Sequence, residues 1–116
     1  MVIRIASAEI EARLLRARRY GFSEPVTAYL TDVRICAGCA LGIVYWDAKR
    51  RFLNGRLIQT SEIYRVVQTG RYWLLGTLSH SNYVVVSFQR PGGRKSLKEY
   101  LPLLCKGILP APRALQ

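Results

Sequence analysis

The sequence predicts one α+β domain over residues 1–116, a small, strongly bent antiparallel sheet or an SH3-like barrel of five or six strands, with an N-terminal helix and a short C-terminal helix. Half of its 116 residues are hydrophobic, which suffices for one core but not for two. A helical pattern occupies residues 7–20. From about 33 to 89, β-branched and aromatic residues alternate with turn residues, as in a β meander.

The N-terminal helix has start and stop signals of its own. Ser7 is suited to cap the first turn, and Gly21 follows the last turn at the position where glycine often ends a helix. One face carries the apolar residues Ile10, Leu14 and Ala17. Glu9 precedes Arg13 by four residues, a spacing that favours an ion pair. We expect this helix to pack by its apolar face and to leave its arginines in solvent.

The central region predicts short strands over residues 41–46, 51–53, 56–60, 63–69, 72–78 and 83–88. Asn54-Gly55 indicates a two-residue type I′ hairpin, because both residues tolerate positive φ. Gly70 and the segment 79–82 supply the next two turns.

A second helix is expected over about 96–106. Ser96 and Glu99 have the spacing of a capping box, which places the first turn at Ser96. Pro102 should end or kink this helix, and residues 108–116 should be extended.

The chain is strongly basic. Lys and Arg number 18 against 7 Asp and Glu, for a net charge of +11. A net charge of roughly 2 to 8 is usual for a soluble small domain, so this excess predicts salt-sensitive attraction to polyanions. The other interpretation is that the charge serves solubility alone.

Two clusters of cations are candidate binding sites for nucleic acid or another anion. The first decorates the predicted hairpin tip and comprises Lys49, Arg50, Arg51 and Arg56. The second surrounds the predicted helix start near Ser96, where free amides also attract anions, and comprises Arg94, Lys95 and Lys98. Solvated side chains are the alternative interpretation of both.

Aromatic residues next to arginines are typical of surfaces on which bases stack. Most of the rings are needed for the core of so small a domain. We expect Tyr64 and Tyr72 to remain exposed for stacking, because each adjoins an arginine in the sequence.

Catalytic and metal chemistry are weakly supported. Cys36-Ala37-Gly38-Cys39 has the spacing of half a zinc site, which His80 and Cys105 would complete. Solitary ligands are unusual in zinc sites, so the preferred interpretation is that all three cysteines pack as small apolar residues and that His80 lies in a solvated turn. The sequence therefore predicts no enzyme, no resident metal and no cofactor.

Residues 52 to 85 contain a pattern found elsewhere. The segment Phe52 to Ile63, followed by Thr77 to Val85, resembles a motif of small uncharacterised β-rich proteins of bacteriophages and prophages. The resemblance covers roughly a third of the chain and implies a β-rich fold. It also implies handling of nucleic acid, or inhibition of a bacterial defence complex as anti-CRISPR proteins do. No catalytic residues accompany it.

Together these features predict a non-enzymatic phage-type protein that binds nucleic acid or a nucleoprotein complex through arginine-rich patches. The alternative is a protein-protein inhibitor that docks on an acidic host protein.

Residues 1–6 lack the long apolar segment of a secretory signal, and no run of roughly 18 to 20 apolar residues occurs, which predicts a cytoplasmic protein without a membrane partner. A phage origin would make this the bacterial host cytoplasm. Pairing of exposed strand edges into a homodimer stays open.

Overall fold

The computed structural model describes residues 6–105 and has the predicted α+β class. Its elements, in chain order, are α1 (Ala8–Arg19), β1 (Ala28–Cys36), β2 (Cys39–Tyr45), β3 (Arg56–Thr69), β4 (Tyr72–Thr77), β5 (Asn82–Val85) and α2 (Gly93–Cys105). Within these residues, no helix combines the length and the apolar character needed to cross a membrane.

The five strands follow one another around a closed barrel in the order β1-β2-β3-β4-β5. Successive strands are antiparallel, and the barrel closes through a parallel pair in which Tyr29 of β1 lies opposite Val84 of β5. Parallel closure is required here, because an odd number of alternating strands makes the first and the last run in the same direction. Each strand thus has a neighbour on both sides, although β3 pairs with β2 only along residues 56–62 and with β4 only along residues 63–69.

The core follows the two-residue period of the strands. Inward-facing residues such as Leu30, Val44, Leu75 and Tyr83 fill the barrel. The helix α2 adds Leu97 and Tyr100 at one end of this core, and Phe52 from the loop 46–55 packs against it at the other.

The helix α1 covers the outer face of the barrel, as its apolar face predicts. Leu14 packs with Ile43 and Tyr45, and Ala17 packs with outward-facing residues of β4 and β5. The Ser7 hydroxyl accepts a hydrogen bond from the Ile10 amide at 3.2 Å, which confirms the predicted cap.

Several predicted strand boundaries were wrong. The strand β1 begins at Ala28, about five residues earlier than expected, and β3 is continuous from Arg56 to Thr69. Residues 51–53 form no strand and belong to the loop 46–55.

The predicted hairpin turn was misplaced as well. Gly55 has a φ of 88°, but Asn54 is not in the positive-φ region, so the pair is not a type I′ turn. Instead, the Asn54 side chain accepts a hydrogen bond from the Trp46 amide at 2.7 Å and braces the loop. A two-residue turn with positive φ at both positions is formed by Ala37 and Gly38, with Cys36 opposite Cys39.

The helix α2 begins three residues before the predicted cap. The Ser96 hydroxyl accepts a hydrogen bond from the Ile35 amide at 2.8 Å and donates one to the Gly93 carbonyl at 2.6 Å, so it joins α2 to β1 rather than capping a helix. The helix also continues through Pro102 to Cys105, where proline costs one hydrogen bond on an exposed face. The predicted helix end at 106 and the tail 108–116 lie outside the described residues.

Candidate functional site

Two of the four cations in the first predicted cluster hold the fold together. The Asp47 carboxylate has no exposed side-chain surface, and it accepts hydrogen bonds from Arg51 Nε and Nη2, both at 3.2 Å. Backbone amides of Lys49, Arg51 and Phe52 also donate to it, at 2.8 to 3.3 Å. Arg51 Nη2 also donates a hydrogen bond to the Tyr83 hydroxyl at 3.1 Å. Arg51 is therefore the partner of a buried anion.

The electrostatics of this pair follow from its contacts. Burial would raise the pKa of Asp47, but the hydrogen bonds from Arg51 and from the backbone outweigh burial, and the pKa of the carboxyl is lowered. The same hydrogen bond helps to raise the pKa of Arg51 against the effect of burial.

Lys49 is also engaged within the molecule. Its Nζ lies 3.3 Å from the carbonyl oxygens of Ser79 and His80 and 2.9 Å from the Ser81 hydroxyl. These contacts tie the loop 46–55 to the turn between β4 and β5. Only Arg50 and Arg56 of the first cluster remain without such polar partners among residues 6–105.

A basic groove lies between α1 and the segment 86–95. It consists of three adjoining cavities of about 530, 310 and 440 Å³. Arg13 lines all three, and Val86 and Arg94 line the second and the third. Its cations are Arg13, Arg16, Arg71, Arg90, Arg94 and Lys95. Its acidic residues are Glu9 and Asp32.

The positive charge of this groove is largely uncompensated. Arg13 pairs with Glu9 at 3.2 Å, as predicted, and Lys95 lies 4.0 Å from Glu99. In contrast, Arg16, Arg71 and Arg90 enter no ion pair within the part of the chain that the structure describes. All three side chains are exposed, but they line one concave surface, where the fields of neighbouring cations add.

The second predicted cluster contributes in part. Because α2 begins at Gly93, Arg94 and Lys95 lie in its first turn and line the basic groove. The Arg94 guanidinium rests over the Phe88 ring, 4.6 Å from its centroid. Lys98 is exposed but does not line the groove.

Sequence reasoning missed the other four cations of the groove. Arg13 and Arg16 come from α1, Arg71 from the turn between β3 and β4, and Arg90 from the connector between β5 and α2. Glu9, Arg13 and Arg16 are spaced by four and three residues, which places them on one side of α1. This spacing was a local signal that Arg13 and Arg16 lie close together. Arg71 and Arg90 each line a cavity with Arg13 of α1, and this placement depends on barrel closure, for which no local signal exists.

The two predicted stacking residues have different outcomes. Tyr64 is 47% exposed, as expected, although it lies outside the basic groove. Tyr72 is only 6% exposed, so its predicted exposure was wrong. Its ring packs edge-on against Tyr20 and Phe22, at centroid distances of 5.2 and 5.6 Å, because alternation along β4 turns it towards the end of α1.

The cysteines do not assemble with His80 into a metal site. Cys36 and Cys39 flank the turn between β1 and β2, and His80 is exposed at the turn between β4 and β5. Between residues 6 and 105, no three His, Cys, Asp or Glu side chains are placed to hold a metal ion. Cys39 is buried as expected, but Cys36 and Cys105 are exposed, so the prediction that all three pack was wrong. Their positions beside a hairpin tip and on the outer side of α2 explain the exposure.

No protein-family model, curated protein or solved structure matches this chain.

Proposed function

We propose that this protein is a non-enzymatic binding protein that engages nucleic acid, free or within a nucleoprotein complex, through the basic groove. One observation carries the proposal. Arg16, Arg71 and Arg90 come from three separate elements and line adjoining cavities with no carboxylate partner among residues 6–105. Such an arrangement attracts a ligand that carries several negative charges in a row.

The chemistry of the lining favours the phosphate backbone over the bases. Guanidinium groups bind phosphate oxygens through two parallel hydrogen bonds. Ring faces for base stacking are scarce in the groove, since Tyr72 is buried and Arg94 covers Phe88. We therefore expect binding with little sequence preference and with a strong dependence on salt.

The site of action that we propose is the cytoplasm, which would be that of the bacterial host if the gene is carried by a phage. The resemblance of residues 52 to 85 to phage proteins supports this setting, and the basic groove supports the ligand class.

The test is fluorescence anisotropy with labelled single-stranded and double-stranded oligonucleotides over a series of salt concentrations. If most of the six groove cations contact phosphates of a single strand, the logarithm of the association constant should fall with the logarithm of salt with a slope of about −4. Absence of binding at low salt would exclude the proposal.

A double variant locates the interaction. Arg16→Gln with Arg90→Gln removes two groove cations and should weaken binding about tenfold or more while making the salt slope about 1 to 2 shallower. The matched control, Arg34→Gln with Lys98→Gln, removes the same charge from exposed positions outside the groove and should change affinity much less. Equal losses in the two variants would show that net charge, rather than the groove, governs binding.

A further inference from the structure

A second surface, separate from the basic groove, lies at the end of the barrel covered by the loop 46–55. We call it the loop pocket. It is a cavity of about 400 Å³ whose lining includes Trp46, Arg50, Phe52, Leu53 and Arg56. Asp47 and Arg51 also line it, and their charges offset each other in an ion pair.

The loop pocket combines an apolar centre with a cationic rim. Leu53 is 69% exposed, more than any other large hydrophobic residue between residues 6 and 105. Arg50 and Arg56 line the same cavity, and Arg18 of α1 lies over the Trp46 ring at 4.5 Å from its centroid. None of these three arginines forms an ion pair with another described residue.

The rings at this surface are poorly placed to stack on bases. The guanidinium groups of Arg51 and Arg56 lie over Phe52, at 4.8 and 5.5 Å from the ring centroid. Trp46 has Arg18 over its face and packs perpendicular to Tyr29 at 5.4 Å.

We propose that the loop pocket docks an acidic protein segment that places an aliphatic or aromatic side chain on Leu53. Carboxylates beside that side chain would meet Arg18, Arg50 and Arg56. Charge complementarity selects this occupant. Arg50 and Arg56, which have no carboxylate partner among the described residues, line the pocket with the exposed Leu53, and Arg18 lies over the adjoining Trp46. Arginine pairs with carboxylates through its planar fork. The inference does not depend on nucleic-acid binding by the groove.

The pocket is also held in shape before a partner arrives. Asp47 fixes Arg51 and three backbone amides of the loop, and Lys49 attaches the loop to the turn between β4 and β5. A docking surface that is ordered in advance loses less conformational entropy on binding.

The test measures anisotropy of three short fluorescein-labelled peptides that alternate Glu with Leu, Glu with Ser, or Lys with Leu. The Glu/Leu peptide should bind at least about tenfold more tightly than the Glu/Ser peptide, because only the former offers both charge and apolar surface. No binding is expected for the Lys/Leu peptide. Equal affinity for the two Glu peptides would overturn the proposal, since it would show attraction by charge alone.

A double variant, Leu53→Ser with Arg50→Asn, assigns the site. Leu53→Ser and Arg50→Asn alter exposed side chains, and Asn is suited to the positive φ of 56° at Arg50. Together they should weaken Glu/Leu binding about tenfold while leaving oligonucleotide binding nearly unchanged. The groove variant Arg16→Gln with Arg90→Gln should have the opposite profile. Loss of peptide binding in the groove variant alone would refute the loop pocket, and circular dichroism would verify folding of each variant.

Discussion

Asp47 determines what the neighbouring cations do. Lys49 and Arg51 lie in a cationic run that appears in the sequence as a free binding cluster, yet both are engaged in contacts that shape the loop 46–55. Asp47 is four residues before Arg51, which is only a weak local indication of pairing. Burial of the carboxylate and the contact of Arg51 with Tyr83, 32 residues away, arise from tertiary structure that no local pattern encodes.

Asp47→Asn tests this role. The variant should lose about 3 kcal/mol of the free energy of unfolding, because Arg51 and the loop amides would lose their anionic partner. Urea denaturation followed by tryptophan fluorescence gives this value. An unchanged midpoint would contradict the structural role assigned to the carboxylate.

The lowered pKa of Asp47 also makes stability depend on pH. A carboxyl whose pKa is lower in the folded than in the unfolded state contributes its full stabilisation above its ordinary value of 3.8. That stabilisation is lost as the pH falls below 3.8 and passes through the folded-state pKa. Urea midpoints between pH 6 and pH 2 should therefore fall more steeply for the wild type than for Asp47→Asn. Each unit by which the pKa differs between the folded and unfolded states corresponds to roughly 1.4 kcal/mol of unfolding free energy. Parallel curves would assign the acid sensitivity to other groups.

At the level of elements, local signals predicted both helices, but they placed the start of α1 correctly and that of α2 three residues too late. The cap at Ser7, the apolar face and the Glu9-Arg13 pair all lie within one helix, and all were confirmed. Ser96 and Glu99 also match a local motif, but Ser96 bonds to Ile35, which is 61 residues away. The tertiary contact takes the hydroxyl that the capping box would need, and the helix starts at Gly93 instead.

Gly93 permits this close approach of α2 to β1. A Cβ atom there would collide with the Val33 carbonyl oxygen and crowd Phe88. Gly93→Ala should therefore lower the free energy of unfolding by about 1 to 3 kcal/mol despite the better helix propensity of alanine. Lys98→Ala, on the exposed side of the same helix, should have an effect near zero. Chemical denaturation of both variants is the measurement, and a stabilised Gly93→Ala protein would refute the close packing.

For the whole molecule, composition predicted the sign and excess of charge, and barrel closure determines where that charge collects. The cation clusters of the sequence were linear, whereas the basic groove draws on α1, the turn between β3 and β4, and the connector before α2. Two of the few carboxylates form ion pairs outside the groove, Glu24 with Arg65 at 2.6 Å and Asp47 with Arg51. Repulsion among the remaining groove cations is thus a property of the assembled fold.

This repulsion predicts that a multivalent anion stabilises the folded chain more than sodium chloride does at equal ionic strength. Short-chain polyphosphate at about ten times its dissociation constant should add about 1.4 kcal/mol, because it binds the folded groove and not the dispersed cations of the unfolded chain. For a domain of this size the melting temperature should rise by roughly 5 °C. The increase should shrink in Arg16→Gln with Arg90→Gln and persist in Arg34→Gln with Lys98→Gln. An equal rise in both double variants would mean that the fold has not concentrated the charge, since screening of the total charge does not distinguish one pair of cations from another.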